Sequence, residues 1–338
     1  MMRLSALSAA VCLSASAICS PVMAADYTLK FAHFWPANSG VHKGFEAWAE
    51  SVETASEGRI EVEFYPSQTL TKAPKSYDAV KSRIADVTAT VQGYTANRFP
   101  LTQVVELPGI AKTAKQGSCV VQSLYDEGLI SDEYSDTHVL FLFTHGPGEI
   151  HTKDKAITKP GDLAGLKIRR PTTVVANILE EVGAQPVGMP APNTYPSLQR
   201  GVIDGVAIPW EAMKIFRLNE LANHHTELGL YTLSFMVTMN KEIYASMPDD
   251  LKKVLDDNSG KAWSEKQAAV FDQLDKLGHE DAVKAGHTIT KLEGGVENPD
   301  WKPVLDAATE RYLSELEAQG KPAKAVYERA QTLSNDCL

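Results

Sequence analysis

Along residues 163–211 the apolar positions switch between two periods. Leu166 to Arg169 is a short apolar run closed by Pro171, which cannot donate to a sheet ladder, so a strand is predicted to end there. Val174, Val175, Ile178, Leu179 and Val182 then fall on one helical face, and Gly183 stands where a helix takes a left-handed C-terminal residue. Pro186 to Met189 reads as a second strand. Asn193 is placed to cap a short helix carrying Tyr195 and Leu198 and ending at Gly201, and Val202 to Ile208 reads as a third strand closed by Pro209. The pattern is β-α-β-α-β, and parallel sheets of this kind bind ligands beyond the carboxyl ends of their strands. Arg169 leaves the first strand, and Trp210 and Glu211 follow the third, so they are expected to face one crevice with Ile208 in its wall.

The N-terminal half repeats the alternation without repeating the sequence. Thr28 to His33 reads as a strand, Val41, Phe45, Trp48 and Val52 as a helical face ending at Gly58, and Ile60, Val62 and Phe64 as a half-wet strand. Tyr77, Val80 and Ile84 mark a helix, and Val87 to Val91 a strand that enters Gln92-Gly93-Tyr94. His33, Phe34, Trp35 and Tyr94 therefore sit at strand exits, as an opposite jaw of the crevice or as aromatic core. Leu107-Pro108-Gly109 opens a loop and a helix through Tyr125. Val139 to Thr144 enters Gly146-Pro147-Gly148-Glu149-Ile150-His151, read as a crossover into a second domain. Leu228 to Met239, carrying Phe235, reads as the return crossover. From Pro248 a helix is predicted through Leu277 with a kink at Gly260; at about 1.5 Å per residue it spans some 45 Å, enough to brace both domains. Helices from Trp301 to Ala318 and Ala323 to Leu333 complete the chain.

Residues 1–24 have the layout of an export signal: Arg3, an apolar stretch from Leu4 to Ile18, and Val22-x-Ala24 as a cleavage site. A lipoprotein anchored at Cys19 is the lesser alternative, because Ile18 is a poor residue before a lipidated cysteine. Removal leaves about 313 residues, a two-domain length. It also takes Arg3 away, so the net charge of −10 becomes about −11. An acidic surface argues against nucleic acid or anionic lipid as partner, so an anionic ligand needs local positive charge. Cys119 and Cys337 remain in an oxidising compartment and are expected to form a disulfide, the alternative being two free thiols. Catalytic signatures are weak: no G-x-S-x-G elbow, no H-E-x-x-H, no C-x-x-C and no phosphate loop occurs, and Gly146-x-Gly148 lacks the third glycine of a dinucleotide fingerprint. His224-His225 is an adjacent pair, which rarely ligates one metal. No cofactor, metal site or catalytic residue is assigned.

D-L-x-G-L-K-I-R-x-P, then V-G-A-x-P-V-x-M-P, then Y-x-x-L-Q-x-G-V-I-D-G, in that order, resembles the solute-binding proteins of tripartite ATP-independent periplasmic (TRAP) transporters, the DctP-like family. The resemblance covers nearly all of the chain after the leader. It implies an α/β fold of the periplasmic binding-protein type (type II-like): two domains, two crossover strands, a bracing helix and a ligand cleft that closes by a hinge. It implies no enzyme but a periplasmic subunit that captures a small organic acid and hands it to membrane permease subunits. It also implies that Arg169, the arginine of K-I-R-x-P, clamps the ligand carboxylate with its planar fork, whereas Arg170 is a surface residue.

Two departures from the family pattern bear on the ligand. Many relatives read D-G-x-E-N-P where this chain has Asp204 to Pro209, so Ala207 and Ile208 replace a polar pair and the wall becomes apolar, with Trp210 adding an aromatic face. Sugar-acid binders often carry another arginine about twenty residues before the clamp, where this chain has Glu149 and His151; His151 is taken as a ligand contact, or else a strand-end histidine bonded to backbone. The favoured ligand is a monocarboxylate with an apolar or aromatic body, the alternative a sugar acid or sulfonate. Glu211 then needs a ligand hydroxyl or amine, a cation or an arginine partner; otherwise it belongs to a solvated helix start. The rival classes are a periplasmic hydrolase or metalloenzyme built from His33, His151 and Glu211, and an accessory subunit of a sensor kinase. The chain is expected to be a monomer. Its expected division is residues 25–147 plus 233–275, residues 148–232 plus 276–322, and a C-terminal tail at 323–338.

Overall fold

The computed structural model describes residues 25–338; the leader assigned to residues 1–24 lies outside them. The chain forms two sheets. The first is built from β1 (Tyr27–His33), β2 (Ile60–Tyr65) and β3 (Val87–Val91) in parallel, followed by antiparallel β10 (Ser234–Asn240) and β4 (Thr137–Thr144), in the order β2-β1-β3-β10-β4. Helix α1 (Gly40–Ala55) lies between β1 and β2. Ser39 starts it by accepting from the backbone N–H of His42 at 3.2 Å, and its buried Phe45, Trp48 and Val52 follow the predicted spacing. Helix α2 (Ser76–Lys81) is shorter than predicted. Arg83 takes a left-handed φ of 59°, which ends the helix before Ile84 and leaves that side chain 54% exposed. Helix α3 (Ala114–Asp126) begins at the Thr113 cap rather than near Gly109.

The second sheet has the order β11-β9-β5-β8-β6-β7. Its strands β6 (Lys167–Arg170), β7 (Gln185–Gly188) and β8 (Gly205–Pro209) are the parallel unit read in the sequence. They are joined by α4 (Thr173–Glu181) and α5 (Thr194–Gln199). Strand β8 starts three residues later than expected, because Gly201, with φ of 71°, turns the chain and α5 already ends at Gln199. Strands β5 (Gly148–Thr152) and β9 (His224–Tyr231) pair antiparallel, and β11 (Thr288–Lys291) adds to β9. A short α6 (Trp210–Ile215) follows β8 directly.

Both crossovers exist, but the return run from Leu228 to Met239 is two strands, not one. Strand β9 ends at Tyr231 in the second sheet and β10 begins at Ser234 in the first. The break lies against the first crossover: His145 N–H donates to Leu233 O at 3.3 Å and Thr232 Oγ1 donates to His145 O at 2.7 Å. Beyond α7 (Lys241–Ser246), the helix expected through Gly260 is also two: α8 (Asp249–Asp257) and α9 (Gly260–Lys284). Gly260 is left-handed at φ 61°, and Trp48 Nε1 donates to Asn258 O at 2.9 Å, fixing the break. Helix α9 alone is about 37 Å long. It packs on α1, α3 and β4 at one end and on α6 at the other, so it does bridge the two sheets. Helix α10 (Lys302–Ala318) packs on α4, and α11 (Ala323–Asp336) returns to α3, where Cys337 forms a disulfide with Cys119 across a Cα–Cα distance of 5.9 Å. Among the described residues no helix is long and apolar enough to cross a membrane.

Candidate functional site

Where the strand exits of the two sheets meet, residues of both sheets line one cavity. The first sheet contributes Phe34 and Trp35 from beyond β1, Tyr94 from beyond β3, and Phe235 from β10. Phe34 and Trp35 stack with ring centroids 3.9 Å apart, and Trp35 leans on Phe235 at 5.5 Å. The second sheet contributes Arg169 from β6, Ile208 from β8 and Glu211 from α6. These seven of the ten residues expected at the site share one cavity.

Arg169 is 1% exposed, not a surface side chain at a strand exit. Its Nε donates to Met189 O at 3.1 Å, Nη1 to Ala207 O at 3.0 Å, and Nη2 to the Tyr94 hydroxyl at 3.3 Å. A guanidinium has five N–H donors, so one remains on each terminal nitrogen, the arrangement a carboxylate accepts with two oxygens. The protein thus orients the fork with three bonds and leaves its end open. The Tyr94 oxygen also accepts from Ala191 N–H at 2.9 Å. With both its lone pairs taken by residues of the second sheet, its own O–H is free to donate. Burial pushes the Tyr94 phenol above its ordinary value, and Arg169 opposes that rise, so the hydroxyl keeps its hydrogen. Arg170, one residue on, points elsewhere, with its guanidinium over Gly188.

Glu211 is 2% exposed, and its Oε2 has no hydrogen-bond partner among the described residues. It is not a solvated helix start. Burial holds its carboxyl well above the usual range, Asp275 of α9 adds to the rise, and no cation offsets it. Asp275 Oδ1 accepts from the Glu211 backbone N–H at 2.8 Å, tying the start of α6 to α9.

Three expected site residues lie elsewhere. Trp210 precedes Glu211 on α6, and neighbours on a helix point about 100° apart, so one faces the cavity and the other does not. Trp210 donates to Glu227 Oε1 at 2.9 Å and borders a second, wider groove with Glu149 and His279. His151 is fully buried on β5, beside β8, where Nε2 bonds Ile208 O at 3.0 Å and Nδ1 meets His225 Nδ1 at 2.7 Å. His225 Nε2 in turn meets His287 Nδ1 at 2.9 Å. Both His151 nitrogens are therefore used within the protein, and burial pushes its pKa down to about 3. His33 belongs to the core of the first sheet, with Nε2 at 2.9 Å from His42 Nδ1 and its ring among Phe31, Phe45 and Phe64. Consequently His33, His151 and Glu211 do not converge. Among the described residues no group of three His, Cys, Asp or Glu side chains is placed to hold a metal ion.

The cavity also recruits residues that the sequence reading passed over. His145 and Leu233 come from the crossovers, Tyr231 from the end of β9, and Phe216 from just past α6. A signal for His145 exists, since it stands between the strand Val139 to Thr144 and the crossover read at Gly146 to His151, and crossovers border the cleft. Tyr231 was hidden because the run containing it looked like one uninterrupted strand.

The family profile described as bacterial extracellular solute-binding protein, family 7 (DctP), matches residues 31–315. A TRAP solute-binding protein from a marine metagenome, specific for aromatic acid ligands and solved with metahydroxyphenylacetate, is 36% identical; the match covers 92% of this chain and 99% of that one, with a TM-score of 0.88. A TRAP solute-binding protein from Rhodoferax ferrireducens, solved with copurified benzoate, is 36% identical over 92% of this chain and 98% of its own, with a TM-score of 0.87. The C4-dicarboxylate-binding periplasmic protein DctP of Rhodobacter capsulatus is 26% identical over 322 residues, 91% of this chain and 94% of that protein.

Proposed function

The chain belongs to family 7 of the bacterial extracellular solute-binding proteins, the DctP family, and within it we propose that this member captures a small aromatic carboxylate for a TRAP-type membrane permease. The family supplies the substrate-binding component of a transporter for small acids, so recognition rather than reaction is the activity. One observation carries the aromatic reading: a fully buried arginine keeps two N–H donors free inside a cavity walled by Phe34, Trp35, Tyr94 and Phe235. The donors suit one carboxylate. The walls offer flat apolar surface and few partners for the hydroxyls of a sugar. The aromatic acids bound by the two structural relatives at 36% identity support the same reading.

The domain boundaries proposed are residues 25–147 plus 233–275 around the first sheet and 148–232 plus 276–322 around the second, with 323–338 as a tail. Residues 145–147 and 232–233 connect the sheets. The domains close over the ligand about these crossovers, in the manner of hinge closure. A thermal-shift screen tests the ligand class, since a ligand that binds only the folded state raises the melting temperature. Benzoate, hydroxybenzoates and mandelate are expected to stabilise the protein. Stabilisation by glucuronate or succinate alone would displace the aromatic reading.

A further inference from the structure

An aromatic carboxylate satisfies the donors of Arg169 and Tyr94 and leaves two other polar groups of the cavity unmet. Arg169 offers two N–H groups and Tyr94 one O–H, all suited to carboxylate oxygens. A carboxylate has no hydrogen to give in return. Yet two buried polar atoms in residues on the cavity wall, His145 Nε2 and Glu211 Oε2, have no partner among the described residues.

The tautomer of His145 follows from its neighbour. Its Nδ1 bonds the carbonyl oxygen of Gly146, which can only accept, so Nδ1 carries the hydrogen and Nε2 presents a lone pair. Burial keeps the ring neutral, pushing its pKa down to about 3. His145 and Glu211 are also held to one anchor. Asp275 Oδ1 takes the Glu211 N–H, and a Cβ at Gly146 would collide with the Asp275 carboxyl. A side chain at 146 would have to push the Asp275 carboxyl aside, so glycine keeps the first crossover, next to His145, close to α9.

Resting on the aromatic-acid reading, we infer that the ligand carries a hydroxyl besides its carboxylate, and that Glu211 and His145 read that hydroxyl while Arg169 and Tyr94 hold the carboxylate. The hydroxyl hydrogen goes to His145 Nε2, which can do nothing but accept. The hydroxyl oxygen takes a hydrogen from the neutral Glu211 carboxyl. An acid without the hydroxyl buries both groups unpaired, and sites built around a substrate hydroxyl reject such analogues. Glu211 and His145 are thus specificity residues, separate in role from the arginine clamp.

Titration calorimetry with benzoate, its three monohydroxy isomers, 3-hydroxyphenylacetate and mandelate tests this. At least one hydroxy acid is expected to bind wild type roughly tenfold or more tightly than benzoate. In Glu211→Leu that preference should fall to about threefold or less, and Glu211→Gln, which keeps a donor and an acceptor, should hold part of it. His145→Phe should weaken the same preference. Benzoate binding within about twofold of every hydroxy acid overturns the inference in wild type alone, whether or not the variants fold. So does a preference unchanged in both Glu211→Leu and His145→Phe. If none of the aromatic acids binds, the aromatic-acid reading itself fails and the inference falls with it, a result distinct from equal binding.

Discussion

The hydroxyl of Tyr94 accepts from Nη2 of Arg169 at 3.3 Å, joining a residue just past β3 of the first sheet to the buried guanidinium on β6 of the second. The same oxygen takes the Ala191 N–H at 2.9 Å. One atom beyond the first sheet therefore holds two donors on the side of the second, and it does so at the wall of the cavity.

Tyr94→Phe removes that latch while keeping the ring. Losing the buried hydroxyl partner costs about 1–3 kcal/mol in all, so affinity for a bound aromatic acid should drop roughly 5- to 150-fold. Small-angle scattering should show the variant reaching the compact form only at higher ligand concentration. Wild-type affinity in Tyr94→Phe would mean that the latch contributes nothing to closure.

Arg169→Ala should lower affinity by roughly 30- to 5,000-fold, because the ligand carboxylate would be buried without a partner. Arg169→Lys should recover only part, since it keeps the charge and loses the fork. Met189 O and Ala207 O also lose their donors, so Arg169→Ala should destabilise the ligand-free fold by about 1–3 kcal/mol. Arg170→Ala should bind nearly as wild type. Denaturant unfolding beside calorimetry separates the two effects, and loss of binding in Arg170→Ala with retention in Arg169→Ala would reassign the clamp.

Stability should peak on a plateau in mildly acidic buffer. His33, His145 and His151 are pushed down to about 3 and His225 to about 2, so the folded state stays neutral where the unfolded chain protonates, and stability is lost as pH falls below 6.5. Glu106 is pushed up to about 7 and Glu149 to about 8, so their stability is present below 4.5 and lost as pH rises toward 7–8; Glu211 is also raised by burial and acts in the same direction. Between 4.5 and 6.5 the two groups oppose each other; outside that window one acts alone. Melting temperatures from pH 4 to 9 check this. Glu149→Gln keeps an oxygen for the N–H groups of Leu228 and Gly229 and should flatten the fall above pH 6.5. An identical alkaline slope in wild type and Glu149→Gln would remove Glu149 from the account.

Reduction of the Cys119–Cys337 bridge should release the C-terminal helix from α3. A closed loop spanning 218 residues is long, and removing such a link costs about 2–4 kcal/mol. Intact mass with alkylation before and after reductant reads the bond directly, and a cysteine alkylated without reductant would exclude it.

Much of this was legible in local pattern. The strands of the parallel unit announce themselves by short apolar runs ending at Pro171 and Pro209, which is why Arg169 could be placed at the cleft from sequence. What escaped was decided by distant partners. His151 looked like a ligand contact because nothing nearby shows that His225, 74 residues on, takes its Nδ1. The helix past Pro248 looked continuous because its break is held by Trp48, 210 residues earlier. Trp210 and Glu211 looked equivalent because a strand-exit argument places backbones, whereas the first turn of α6 decides which side chain turns inward.

The hydrogen bonds between Thr232, Leu233 and His145 make the two crossovers one leaf spring rather than two loose straps. Leaves fixed at their middle must bend in step, so neither ribbon can lengthen by itself. A single residue inserted into 145–147 or 232–233 would slip one leaf past the other. His145 would then be carried out of phase with Tyr231 and Phe235. These segments should therefore tolerate changes of side chain far better than changes of length.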